Sequence, residues 1–114
     1  MSSLEPNVTQ LRKGTLELCI LAILGRREDY GYQIVKQLNQ AGEWEISEGT
    51  VYPLLLRLKK EGLVLSQWKE PVSGQARKYY RLSETGKTTL EQQGREWVRL
   101  RNNVDRILSD GEKA

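Results

Sequence analysis

Residues 47–64, SEGTVYPLLLRLKKEGLV, constrain the fold more than any other stretch, because they combine a helix start, an apolar stripe and a stop. Val51, Leu54, Leu55 and Leu58 fall at i, i+3, i+4 and i+7, so one helical face is apolar and must pack on something. The other face carries Gly49, Pro53, Leu56 and Lys60, with Tyr52 and Arg57 at its edges. It does not read as an ordinary charged solvent face. Glu61 and Gly62 stop the helix, and Leu63, Val64 and Leu65 begin a β-prone run. Pro53 fits if Thr50 caps the main helix, which places the proline in the first turn and leaves Ser47, Glu48 and Gly49 as an irregular approach. Ser47, Gly49, Thr50 and Tyr52 then cluster at a helix N-terminus, where backbone N–H groups and the dipole favour phosphate, and Gly49 has no side chain to hold off a DNA strand. The stretch is expected to be the recognition helix of a winged helix-turn-helix domain.

The flanking segments fit that expectation. Residues 1–8 read as a flexible lead, with Thr9 as a helix N-cap. The run from Gln10 to Leu24 is apolar on most of its wheel in its second half, which predicts burial on nearly all sides and hints at help from a second chain. Gly25 to Asp29 reads as a loop, and Tyr30-Gly31-Tyr32 opens a second helix with Ile34, Val35 and Leu38 inward. The two tyrosines read either as ligand contacts or, as such aromatics more often do, as anchors of that helix start in the core. Trp44 and Ile46 are available to cover the core edge before the recognition helix. Two short helices with a short connection, the second amphipathic, form a helix-turn-helix pattern.

From Leu63 to Leu82 the period changes to two, around a loop with Pro71 and Gly74, as in a β-hairpin. Positive charge concentrates there. Arg77, Lys78 and Arg81 on the returning strand suit a wing that touches phosphate, although a basic strand edge also protects against aggregation. Ser83 caps a last helix that runs to about Leu108. Leu90, Trp97 and Val104 recur at seven, with Gln93, Leu100 and Ile107 between them, as in a coiled-coil seam with one polar member. At about 25 residues it is about 38 Å long, too long for so small a domain to cover, and it should pair with a second copy. The expected units are a lead at 1–8, a DNA-binding domain at 9–82, a dimerisation helix at 83–108 and a fraying tail at 109–114.

Composition excludes other classes. A chain of 114 residues with 29% charged and 38% hydrophobic residues is one globular domain, cramped for a deep catalytic pocket. With no histidine, it lacks the commonest general base and transition-metal ligand; no metal-ligand cluster or phosphate loop is apparent, so neither an enzyme nor a cofactor is expected. Cys19, the only cysteine, lies in the densest apolar run and reads as a small buried hydrophobe. No run suggests a membrane span, and the N-terminus lacks a signal-peptide pattern, so a cytoplasmic location is expected. The net charge of +3 leans weakly toward a polyanionic partner.

Three segments in order resemble the PadR family of bacterial transcriptional regulators, in its short form with a single C-terminal helix. They are Tyr30-Gly31-Tyr32, Gly49 to Leu58 followed by Glu61-Gly62-Leu63, and Arg77 to Leu82 followed by Thr85-Gly86. The resemblance implies a mainly α, α+β fold: a winged helix-turn-helix with a two-stranded wing and a long dimerisation helix. It also implies a homodimeric repressor on a pseudo-palindromic double-stranded operator. Carried over, Ser47, Thr50, Tyr52 and Pro53 would contact the groove, Arg77 and Lys78 would serve the wing, and Arg57 would reach a phosphate, as Lys60 is also expected to do. Leu11, Leu90, Trp97, Leu100, Val104 and Ile107 are expected at the dimer interface. In multidrug-responsive members paired tryptophans line a flat pore between subunits, and Trp97 sits at the matching place, which implies a small hydrophobic or aromatic effector. The competing expectation is a winged-helix protein-interaction module with a merely solubilising basic wing.

Overall fold

The computed structural model describes residues 6–42, 45–70 and 74–113, in which four helices enclose a small antiparallel sheet. The order is α1 (Pro6–Arg26), β1 (Asp29–Tyr30), α2 (Gly31–Ala41), α3 (Glu48–Lys60), β2 (Val64–Lys69), β3 (Arg77–Leu82) and α4 (Glu84–Lys113). Helix α1 is the hub. Its Leu16, Ile20, Leu21, Ile23 and Leu24 are buried among Ile34 and Leu38 of α2, Val51, Leu55 and Leu58 of α3, and Tyr80 and Leu82 of β3. Helices α2 and α4 and strand β3 all pack on it, so its apolar second half is covered largely within one chain rather than by a second one. Cys19 is partly buried against the same core, and the loss of solvent raises its thiol pKa above the ordinary value.

Two boundaries differ from the expected ones. Helix α1 begins at Pro6, inside the segment read as a lead, with proline in the first turn where it needs no N–H partner. Helix α4 continues to Lys113, through the segment expected to fray. The side chain of Leu11 and the whole of Trp44 lie outside the described residues.

Strand β1 was not legible in the sequence, where Asp29 closes a loop. Asp29 and Tyr30 pair with Tyr80 and Tyr79, making a three-stranded sheet of order β1-β3-β2. Asp29 is buried, and its carboxylate accepts hydrogen bonds from the Tyr30 backbone N–H and the Gln37 amide at 3.0 Å each, with Arg27 3.7 Å away. A buried carboxylate needs such partners, and here they fix the start of α2 on the sheet. The turn into α3 is held likewise: Asn39 donates to the Ile46 carbonyl at 2.9 Å and accepts from the Ile46 N–H at 2.8 Å.

At the other end of α3, Gly62 adopts φ +78°, the left-handed region open to glycine. Gly62 N–H reaches the Lys59 carbonyl and Leu63 N–H the Leu58 carbonyl, so the last carbonyls of the helix are satisfied as the chain turns into β2. The Leu63 carbonyl then accepts from Ser83 N–H at 3.0 Å, while the Ser83 hydroxyl donates to the Gly62 carbonyl and accepts from Gly86 N–H as the cap of α4. Gly86 lies flat on this turn, and a Cβ there would overlap the Leu63 carbonyl oxygen. Because backbone cannot swing aside as a side chain does, Gly86→Ala is expected to destabilise the fold by ~1–3 kcal/mol in denaturant titrations. Gly94→Ala, with open space around it, is the control and should be neutral or stabilising.

Candidate nucleic-acid interface

The leading end of α3 is its open end. The helix starts at Glu48 with Ser47 in the N-cap position, three residues earlier than a Thr50 cap would place it. Thr50 and Val51 N–H both bond to the Ser47 carbonyl, which draws Gly49 and Thr50 into the first turn and leaves Pro53 inside the helix proper. The Ser47 hydroxyl makes no capping bond and instead lies 3.3 Å from that of Thr50. Ser47, Gly49, Thr50, Tyr52 and Pro53 are all exposed together. A Cβ on Gly49 would meet only the Ser47 hydroxyl at an ordinary 3.6 Å, so nothing among the described residues requires glycine there.

Tyr52 bends over the start of α2. Its hydroxyl donates to Glu48 Oε1 at 3.2 Å, and its ring occupies the space a side chain at Gly31 would need. Burial chiefly, then the bond to Glu48 and its charge, push the phenol pKa above 10.0. Beyond it stands the hairpin. Arg77 stacks on the Tyr30 ring with its guanidinium carbon 4.4 Å from the centroid, and Tyr30 meets Tyr79 edge to face at 5.4 Å. Lys69 lies 5.3 Å over the Tyr79 ring and is ion-paired with Glu28. Of the two adjacent tyrosines, Tyr80 is the core residue, as strand alternation demands of one of them. Arg77 and Lys78 are thus presented beside the leading end of α3, across a groove of about 480 Å³.

Arg57 is ion-paired with Glu17 of α1 and lies 3.5 Å from Glu61, with about half of its side chain still exposed. Tyr32, read as a ligand contact or a core anchor, is 54% exposed, and Trp68 is 66% exposed on the hairpin. Both border the groove between α3 and the wing, which a reading of local period could not show. Lys60 is exposed at the trailing end of α3, and Leu56 is exposed with nothing in the structure to explain it.

Residues 20–92 match the transcriptional regulator PadR-like family. The chain belongs to this family. It is similar to a PadR-like transcriptional regulator of Bacillus cereus, 40% identical, with a TM-score of 0.80 and coverage of 87% of this chain and 96% of the other. A PadR family regulator of Eggerthella lenta is 38% identical with a TM-score of 0.77, covering 89% and 88%. The transcriptional regulator Rv3488 of Mycobacterium tuberculosis is 30% identical over 95 residues, 83% of this chain and 87% of that protein. This PadR-family chain is therefore a DNA-binding transcriptional regulator and not an enzyme. No helix among the described residues is long and apolar enough to cross a membrane.

The second surface of the PadR-family chain is α4. Leu90 is turned inward onto Gly25 and the core, so it packs within its own chain rather than continuing the expected seam. From Trp97 onward the helix has an unpartnered apolar row, with Trp97 38% exposed, then Leu100, Val104 and Ile107. A groove of about 690 Å³ runs between α1 and α4 beside Trp97, with Gly14 and Leu18 on one side and Leu100 and Val104 on the other. Arg101 and Asp105 place charge of both signs at its edge.

The environment of Tyr52 gives a pH test of the site. Tyrosinate absorbance should show Tyr52 titrating above 10.0, identified by the difference from Tyr52→Phe. In Gly31→Ala the ring must swing out, and its midpoint is expected to fall back toward 10.0 with little loss of stability, since a partly exposed side chain yields cheaply. A midpoint unchanged in Gly31→Ala would contradict the packing of Tyr52 on α2.

Proposed function

We propose that the chain is a homodimeric, sequence-specific repressor that places α3 of each subunit in successive major grooves of a pseudo-palindromic operator. The observation that carries this reading is Gly49: an exposed glycine at the open end of α3 with no neighbour among the described residues to require it. Close approach of a DNA strand gives it a reason. Ser47, Thr50, Tyr52 and Pro53 around it supply the groove contacts, Arg77 and Lys78 the wing contacts, and Lys60 a phosphate contact at the trailing end. Arg57, half-exposed beside its ion pair with Glu17, adds a phosphate contact from the middle of α3.

Gly49→Ala separates folding from binding. Alanine is the better helix residue by ~0.5–1 kcal/mol, so the variant should be more stable to denaturant while binding a selected duplex more weakly. Arg77→Ala should weaken all sequences alike and lower the salt slope of binding by about one, whereas Tyr52→Ala should also blur sequence preference. If Gly49→Ala bound as tightly as the parent protein, α3 would not be the reading helix.

Dimerisation is supported by the row Trp97, Leu100, Val104 and Ile107 on a helix of 30 residues whose far part has no partner among the described residues. Pairing would bury that row and close the groove beside Trp97 into a site for a flat, apolar effector whose binding releases the operator. Leu100→Glu is expected to sediment as a monomer, lose tight duplex binding and lose the quenching of Trp97 by a planar aromatic dye. A dimer that persists in this variant would place the interface elsewhere.

A further inference from the structure

The inner face of the wing extends past the core it covers. Side chains alternate along a strand, so the pairs Val64 with Leu82, Ser66 with Tyr80 and Trp68 with Lys78 share one face. Val64, Leu82 and Tyr80 on that face are buried, but Trp68 lies beyond the core edge and is exposed. Tyr32, on the first turn of α2, is exposed toward the same opening. Large aromatic surface left in water forgoes burial that a polar residue would not, so two such rings around one groove point to an occupant. Tyr52 closes the groove on the α3 side, Arg77 and Lys78 stand on the hairpin side, and no carboxylate lines it. The charge therefore suits an anion, with Glu48 outside the lining and bonded to the Tyr52 hydroxyl.

We propose that this groove seats the sugar–phosphate backbone of one strand of duplex DNA, with Trp68 and Tyr32 packed on deoxyribose and Lys78 and Arg77 facing the flanking phosphates. The proposal rests on the DNA-binding reading above and adds two uncharged residues outside both α3 and the basic strand. Geometry selects the backbone as occupant. When α3 lies in a major groove and the wing beside the adjacent minor groove, the strand that separates the two grooves must pass between helix and wing, where this groove lies. Contacts of this kind position the protein and are blind to base sequence.

The test uses the full chain and a duplex selected from a random pool by the unaltered protein. Its tryptophan emission should change on saturation with duplex, the change should survive Trp97→Phe, and most of it should vanish in Trp68→Phe. Trp68→Ala and Tyr32→Ala should each weaken binding roughly fivefold to tenfold with the salt slope unchanged, because apolar contact releases no counterions. Lys78→Ala should lower the slope by about one. Unaltered thermal midpoints are expected for Trp68→Ala and Tyr32→Ala, since both side chains are exposed. Affinity equal to the parent in both variants, with Trp68 emission indifferent to duplex, would overturn the proposal. A larger Trp68 response to a single-stranded oligonucleotide than to duplex would also overturn it, by assigning the groove to unstacked bases. Failure of the unaltered protein to retain any duplex from the pool would instead remove the DNA-binding reading itself.

Discussion

The first turn of α4 rests on the carbonyl of Leu63, and this contact couples the two ends of the molecule. Gly86 allows the approach, Ser83 caps α4 while donating back to Gly62, and Gly62 in the left-handed region makes the turn that presents the carbonyl. The groups involved are mostly backbone, so the angle between α3 and α4 has little freedom to drift. A helix that carries an unpartnered apolar row is thereby fixed to the helix whose leading end faces outward. In a dimer this would set the spacing of two reading helices, and a ligand between subunits that shifted α4 would shift α3 with it.

A second pin acts from the other side. Arg57 reaches across to Glu17, tying the middle of α3 to the hub helix α1, whose opposite flank forms the groove with Trp97 and Leu100. An ion pair this exposed contributes little to stability. Tyr52 at the start of α3 and Arg77 and Lys78 on the wing border a common groove, which is the recognition surface proposed above.

Much of the fold was legible in the sequence because it is written in local periods. The stripe Val51, Leu54, Leu55 and Leu58 gave α3, with Leu54 only partly buried and the other three fully so. Alternation from Val64 to Leu82 gave the hairpin, and the glycine at 62 gave the stop. Strand β1 was not visible, since two residues have no period and Asp29 gains its place only from Gln37 and the sheet edge. The start of α3 was misplaced for a related reason: proline chemistry argued for a cap at Thr50, whereas the Ser47 carbonyl accepts from both Thr50 and Val51 and starts the helix earlier. The candidate site was half legible, with the basic wing and the leading end of α3 expected, Tyr32 left between ligand contact and core anchor, and Trp68 missed.

Sequence alone determined the four helices and the hairpin and their order, because hydrophobic periodicity, caps and turn residues act over a few positions. It also named the family through three short motifs in register. Only the tertiary structure decided which side chains remain available to a partner. Arg57 is left half-exposed beside Glu17, Leu90 is taken into the core through Gly25, and Trp68 is left outside because the hairpin is longer than the core beneath it. Each of these outcomes depends on a neighbour remote in the chain, and exposure is a property of such neighbours rather than of the residue.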